Sequence, residues 1–136
     1  GKKAFFAARM KVSTNNSDFY AGLVISDTTP LPLPTDAVFF RKSDGDLNME
    51  LVVVKNSTAT TTLVFDAIAS NTFYTMAWVY DGKSEIKAYW DGTHVASSAI
   101  DNLPDDTELA VSFGVQNGGA GARLLDVDYV YGGIER

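Results

Sequence analysis

The chain has 136 residues, 46% of them hydrophobic, with no cysteine and a formal charge of -6. That length suits a single domain, residues 1–136, which buries about two thirds of the surface its unfolded form exposes and needs no covalent staple. The missing cysteines exclude a disulfide framework and cysteine zinc sites. The 11 Lys and Arg residues are scattered, which argues against nucleic acid, and no run reaches the roughly 18 apolar residues of a membrane-spanning helix, so a soluble domain is expected. Gly1 stands almost directly before a strand pattern with no initiator Met, which leaves room for an upstream strand in a longer parent chain.

From Ala4 to Val12, Phe6, Ala8, Met10 and Val12 alternate with Phe5, Ala7, Arg9 and Lys11, the period of a strand with one face turning charged. The polar run at residues 13–18 reads as a turn and residues 19–25 as a second strand. DTTPLPLPT follows, with Pro30, Pro32 and Pro34 each lacking a ladder donor and holding its predecessor extended. Residues 28–35 therefore read as a stiff surface arm: either a plain crossover between two sheets or, through Pro30, Leu31, Pro32, Leu33 and Pro34, a partner-contact loop. Residues 36–43 form a third strand with apolar residues on both faces. Asp44-Gly45 turns the chain into a fourth at residues 47–55, and Asn56-Ser57 leads to the β-branched run TATTTLVF.

Residues 73–92, FYTMAWVYDGKSEIKAYWDG, read as two strands closed by Asp81-Gly82 and Asp91-Gly92 turns. Tyr74, Met76, Trp78 and Tyr80 share one face of the first strand, and Phe73, Thr75, Ala77 and Val79 share the other. Such a strand is central, covered on both sides or lining a concave aromatic surface. A short strand at residues 94–98, a loop with one helical turn at residues 101–106, a strand at residues 108–116, the flexible NGGAG and a last strand at residues 123–131 complete the pattern. In the last strand Leu125, Val127, Tyr129 and Tyr131 alternate with Asp126 and Asp128. If it neighbours the first strand, the two acids meet Arg9 and Lys11. About ten short strands and no long helix define an all-β, antiparallel two-sheet sandwich of jelly-roll type.

The residues that could carry chemistry are few. No Glu-x-Asp-x-x-Glu strand exists to supply the paired acids of a retaining glycosidase, and Asp126 and Asp128 stand roughly 6.5 Å apart along a strand. His94 is the only histidine and has no nucleophile motif to serve, so it reads as an exposed turn-flanking residue and the chain as no enzyme. Asp44, Asp46 and Asn48 spell the opening of a calcium loop, but Met49 and Lys55 stand where Gly and Glu would be needed. They form a weak metal candidate beside the plain alternative of a polar turn, and calcium is the one cofactor left open. Trp90, Tyr89, Trp78 and Tyr80 form a carbohydrate-binding candidate, since aromatic faces stack on pyranose rings. Period-two aromatics also serve as core, and that is the commoner use.

MAWVYDGKSEIKAYWDGTHVASS resembles the hairpin of concanavalin A-like lectin/glucanase domains, laminin-G-like domains in particular, and DVDYVYGGIER resembles their last strand. Within that group, FFRKSDGD, VVKNSTATT, NLPDDTELAVSFGVQNG and DVDYV are most similar to domains of structural proteins in tailed phage particles. The resemblance implies a non-enzymatic capsid-decoration or other particle-surface module. It would bind capsid proteins or neighbouring copies as a homo-oligomer or within an assembly, on the virion or otherwise outside the cell. A carbohydrate-binding module is the alternative that the same fold and aromatics support.

Overall fold

The computed structural model describes residues 1–26 and 29–135. Its ten strands are β1 (Ala4–Val12), β2 (Ser17–Ile25), β3 (Ala37–Lys42), β4 (Met49–Lys55), β5 (Thr58–Phe65), β6 (Tyr74–Tyr80), β7 (Ile86–Trp90), β8 (Thr93–Ser98), β9 (Leu109–Asn117) and β10 (Leu125–Ile134). They form two five-stranded antiparallel sheets, the first in the order β10-β1-β6-β7-β8 and the second in the order β5-β4-β3-β2-β9. The two-sheet sandwich follows from the alternation of apolar side chains. Among the described residues there is no helix: residues 101–106 make only a turn, with the Leu103 N–H donating to the Ile100 carbonyl.

The inner faces meet in one core. Phe6, Ala8 and Met10 of β1 and Met76, Trp78 and Tyr80 of β6 oppose Phe19, Ala21 and Leu23 of β2, Val38 and Phe40 of β3, and Leu51 and Val53 of β4, all buried. Two-residue turns with positive φ at both positions set the register of two hairpins, Asn56-Ser57 between β4 and β5 and Asp91-Gly92 between β7 and β8. The connection at Asp81 is longer than a two-residue turn: the Asp81 carboxylate accepts the N–H groups of Lys83 and Ser84 and rounds off the end of β6.

The proline segment departs from one expectation for it. β2 and β3 are antiparallel neighbours in one sheet, so it is not a crossover between sheets. It folds back over the outer face of the second sheet, where Leu33 and Tyr20 pack on Val24, Ala37, Phe39, Val52 and Val54. Pro34 is buried and Pro32 accepts a hydrogen bond from Arg41 through its carbonyl, while Pro30 and Leu31 are half-buried and the Pro32 ring is exposed. The physical reason is β3, which carries Ala37 and Phe39 on one face and Val38 and Phe40 on the other. A strand apolar on both sides needs cover on both. The arm supplies part of that cover from within the chain: Pro34 is buried and Leu33 half-buried against the sheet. Thr28, the first residue of the expected arm, lies outside the described residues.

β1 lies between β10 and β6, and the expected charge pairing is present: Arg9 reaches Asp128 at 2.6 Å and Lys11 reaches Asp126 at 3.1 Å. The expected face of the last strand is not. Arg9 is opposite Tyr129 but Met10 is opposite Val127, so Asp128 is an extra residue in a β-bulge. The bulge inverts the alternation. Leu125, Val127 and Val130 share the inner side with Met10 and Ala8, while Tyr129 and Tyr131 share the outer side with both aspartates.

Candidate functional site

The proline arm covers the centre of the second sheet, over β2, β3 and β4, whereas the centre of the first sheet's outer face is open. Its side chains fall into rows set by the ladder register. The middle row runs Tyr131, Ala7, Ala77, Tyr89 and then His94 across β10, β1, β6, β7 and β8. The row on one side holds Phe5, Val79 and Lys87, and the row on the other holds Tyr129, Arg9 and Thr75. Two alanines thus form a low floor ringed by larger side chains. Tyr131 and Tyr89 stand three strand spacings apart, about 14 Å between backbones.

The ring is aromatic and partly exposed. Tyr131 is 54% exposed and Phe5 44%, and their rings meet edge to face at 6.5 Å. Tyr129 stacks on Tyr131 at 5.4 Å, and across the floor Tyr89 lies 5.6 Å from the His94 ring. His94 is exposed and its Nε2 lies 3.3 Å from the Ser97 hydroxyl. Arg9 is oriented by the Asp128 carboxylate and lies 4.5 Å from the centre of the Phe73 ring, so its direction is set while part of its guanidinium fork stays available. Flat apolar faces beside fixed, charged donors and acceptors can stack on a sugar ring and bond its hydroxyls. Asp126 and Asp128 are each engaged with a cation.

The aromatic residues expected to bind sugar fare unequally. Trp78, Tyr80 and Trp90 point inward and are 1%, 6% and 5% exposed. Trp78 stacks on Phe6 and Trp90 on Phe65, the latter at 4.8 Å. Burial removes these three from reach of a glycan; of the four candidates only Tyr89 lies on the open face. The residues that pattern reading missed are Tyr129, Tyr131, Phe5 and Arg9. Only the extra residue at the bulge could have revealed the tyrosines, and an insertion of one does not announce itself in a period-two pattern.

The Asp44, Asp46 and Asn48 turn is occupied with its own loop. Asp46 Oδ1 accepts the Asn48 N–H at 3.0 Å, and the Asp44 N–H donates to Asp18 Oδ1 at 2.9 Å. Among the described residues no group of three or more His, Cys, Asp or Glu is placed to hold a metal ion. A separate cleft of about 680 Å³ opens at one end of the sandwich, lined by Ile100, Leu103, Leu109 and Ile134, with the Lys55 and Asp105 ion pair at its mouth.

Three exposed carboxyl groups are held below their ordinary range: Asp81 by the Lys83 and Ser84 N–H groups, Glu85 by the Ser97 hydroxyl and then Lys87, and Asp105 by Lys55. A depressed folded-state pKa stabilises above the ordinary value and is lost as pH falls through the folded value. The thermal midpoint should therefore be level at neutral pH and decline once pH drops below the ordinary carboxyl values of 3.8 to 4.5. A midpoint that rises on acidification through that window would contradict the assignment.

No protein-family model and no curated protein matches this sequence. Solved structures do match. A glycosidic hydrolase is similar over 95% of this chain and 64% of its own, with TM-score 0.69 and 18% identity. Sheep galectin-11, solved in complex with glycerol, is similar over 96% of this chain and 89% of its own, with TM-score 0.61 and 9% identity. A carbohydrate-binding module from Bacillus subtilis is similar over 99% and 73%, with TM-score 0.57 and 12% identity. At such identities the likeness is one of fold, a jelly-roll sandwich shared by binding modules and by carbohydrate-active enzymes.

Proposed function

We propose that this chain is a non-catalytic glycan-binding module whose binding surface is the open outer face of the first sheet. Tyr131, Phe5 and Tyr89 stack on sugar faces, the floor of Ala7 and Ala77 leaves room for the ring, and Arg9 with Asp128 bonds its hydroxyls. The observation that carries this is the ring of partly exposed aromatics around two alanines on the open outer face of the first sheet. Support comes from the fold neighbours, which include a carbohydrate-binding module and a galectin.

A glycan array followed by calorimetric titration of the best hit tests it. Tyr131→Ala should weaken binding about tenfold, the equivalent of about 1.4 kcal/mol and within the range of a lost stacking contact, with the melting temperature nearly unchanged because the side chain is exposed. The proposal fails if no glycan binds, or if Tyr131→Ala and Tyr89→Ala both leave the affinity unaltered.

A particle-surface role, which the phage-like sequence patterns imply, is second. Its support is a stripe of exposed apolar side chains along β9 and β10, Val111, Phe113, Val127 and Ile134, of the kind that neighbouring subunits bury. Light scattering that finds only monomers at high concentration would count against self-assembly through that stripe.

A further inference from the structure

Lys42, the last residue of β3, turns its side chain inward and is 1% exposed. Its ammonium donates to three backbone carbonyls, those of Asn15, Ser17 at 3.0 Å and Ser43 at 3.1 Å, which accounts for all three of its protons. Among the described residues no carboxylate closes on it as an ion pair. Burial pulls its pKa below the ordinary lysine value, while Asp44, Asp18 and Asp46 act from farther off in the opposite direction. The surroundings are thus those of a hard cation: converging oxygens, nearby negative charge and almost no solvent.

Loops from three parts of the chain converge on this point. The 13–16 turn supplies Asn15, and the 43–48 connection supplies Ser43. The 118–124 connection is tied in through Arg123 Nε, which donates to the Asn16 carbonyl at 3.1 Å, and through the Leu124 N–H, which donates to the Ser13 hydroxyl at 3.0 Å. Gly118 lies directly against the Asp44 carboxylate, where a Cβ would come within 2.2 Å of its atoms.

We infer that this loop cluster is a cation site whose ion is the chain's own Lys42 ammonium, so that a divalent cation is not needed to order it and calcium takes the site when the ammonium is removed. The carbonyl oxygens of Asn15, Ser17 and Ser43 would become calcium ligands, with Asp18 or Asp44 turning in to supply charge and water completing the shell. Calcium fits better than magnesium, because carbonyls spaced around an ammonium are too far apart for the short octahedral shell of magnesium, whereas calcium accepts longer and irregular coordination.

The test compares the full native chain with Lys42→Ala and, as a milder truncation, Lys42→Ser, by thermal melting in chelator, in calcium and in magnesium, and by terbium luminescence as a direct probe of a calcium-type site. The native midpoint should be the same in all three solutions, with no terbium signal from this end. Both variants should melt lower in chelator, recover by several degrees in calcium but little in magnesium, and show saturable terbium binding that Asp18→Asn or Asp44→Asn weakens by tenfold or more. A native midpoint that rises with calcium overturns the inference. So do variants that melt identically in chelator and calcium, or that fail to fold even with calcium present.

Discussion

Gly22→Ala should destabilise the protein by at least about 3 kcal/mol, or prevent its folding, although the change adds a single methyl group. Gly22 sits on β2 opposite Phe39 of β3, and a Cβ there would lie 2.4 Å from both the Phe39 Cα and the Val38 carbonyl oxygen. Those are backbone atoms, so no side-chain rotation relieves the overlap and the two strands must separate. Separation would open the buried cluster of Val24, Ala37, Phe39, Val52 and Val54 that the proline arm covers. Set against a typical total of about 5–15 kcal/mol, such a loss should lower the melting temperature by ~10 °C or more. Gly119→Ala is the matched control, because a Cβ at that position meets nothing within 4 Å. Urea titration of the two variants decides it: a Gly22→Ala midpoint equal to that of Gly119→Ala would show that the strands do not approach as closely as described.

Trp78→Ala should cost about 3–5 kcal/mol, the usual price of emptying a large core site, whereas Trp78→Phe should cost much less. The difference rests on a feature this indole shares with that of Trp90. Its Nε1–H is buried with no hydrogen-bond partner among the described residues, and an unpaired buried donor carries a penalty of about 1–3 kcal/mol that phenylalanine does not incur. Relief of that penalty offsets part of the lost volume. The same pair of variants separates core from binding surface. A tryptophan that stacked on a ligand would, as phenylalanine, lose affinity without losing stability; a core tryptophan, as alanine, loses stability throughout. Chemical denaturation together with glycan titration of Trp78→Phe reads both quantities, and a selective loss of affinity would return Trp78 to the binding surface.

Much of the architecture could be read before any coordinates. Alternation in β1 and β4 predicted which side chains point inward, and the matching of Arg9 and Lys11 with Asp126 and Asp128 predicted that the first and last strands pair. Local rules suffice there, because in a strand the backbone alone sends successive side chains to opposite faces. The site was much less legible. Trp78 and Trp90 look like sugar-stacking residues in one dimension, but whether an aromatic face lies within the sandwich or outside it depends on which strand is placed opposite.

The sequence by itself determined that ten short strands form and which faces of most of them are apolar, since those properties follow from side-chain chemistry repeated every two residues. Only the tertiary structure decided which apolar faces stay open. The proline arm folds over the centre of the second sheet and not over the first, and a single extra residue at Asp128 turns Tyr129 and Tyr131 to the first sheet's open side. Both outcomes depend on pairing between segments far apart in the chain, where one residue of register moves every following side chain to the other face.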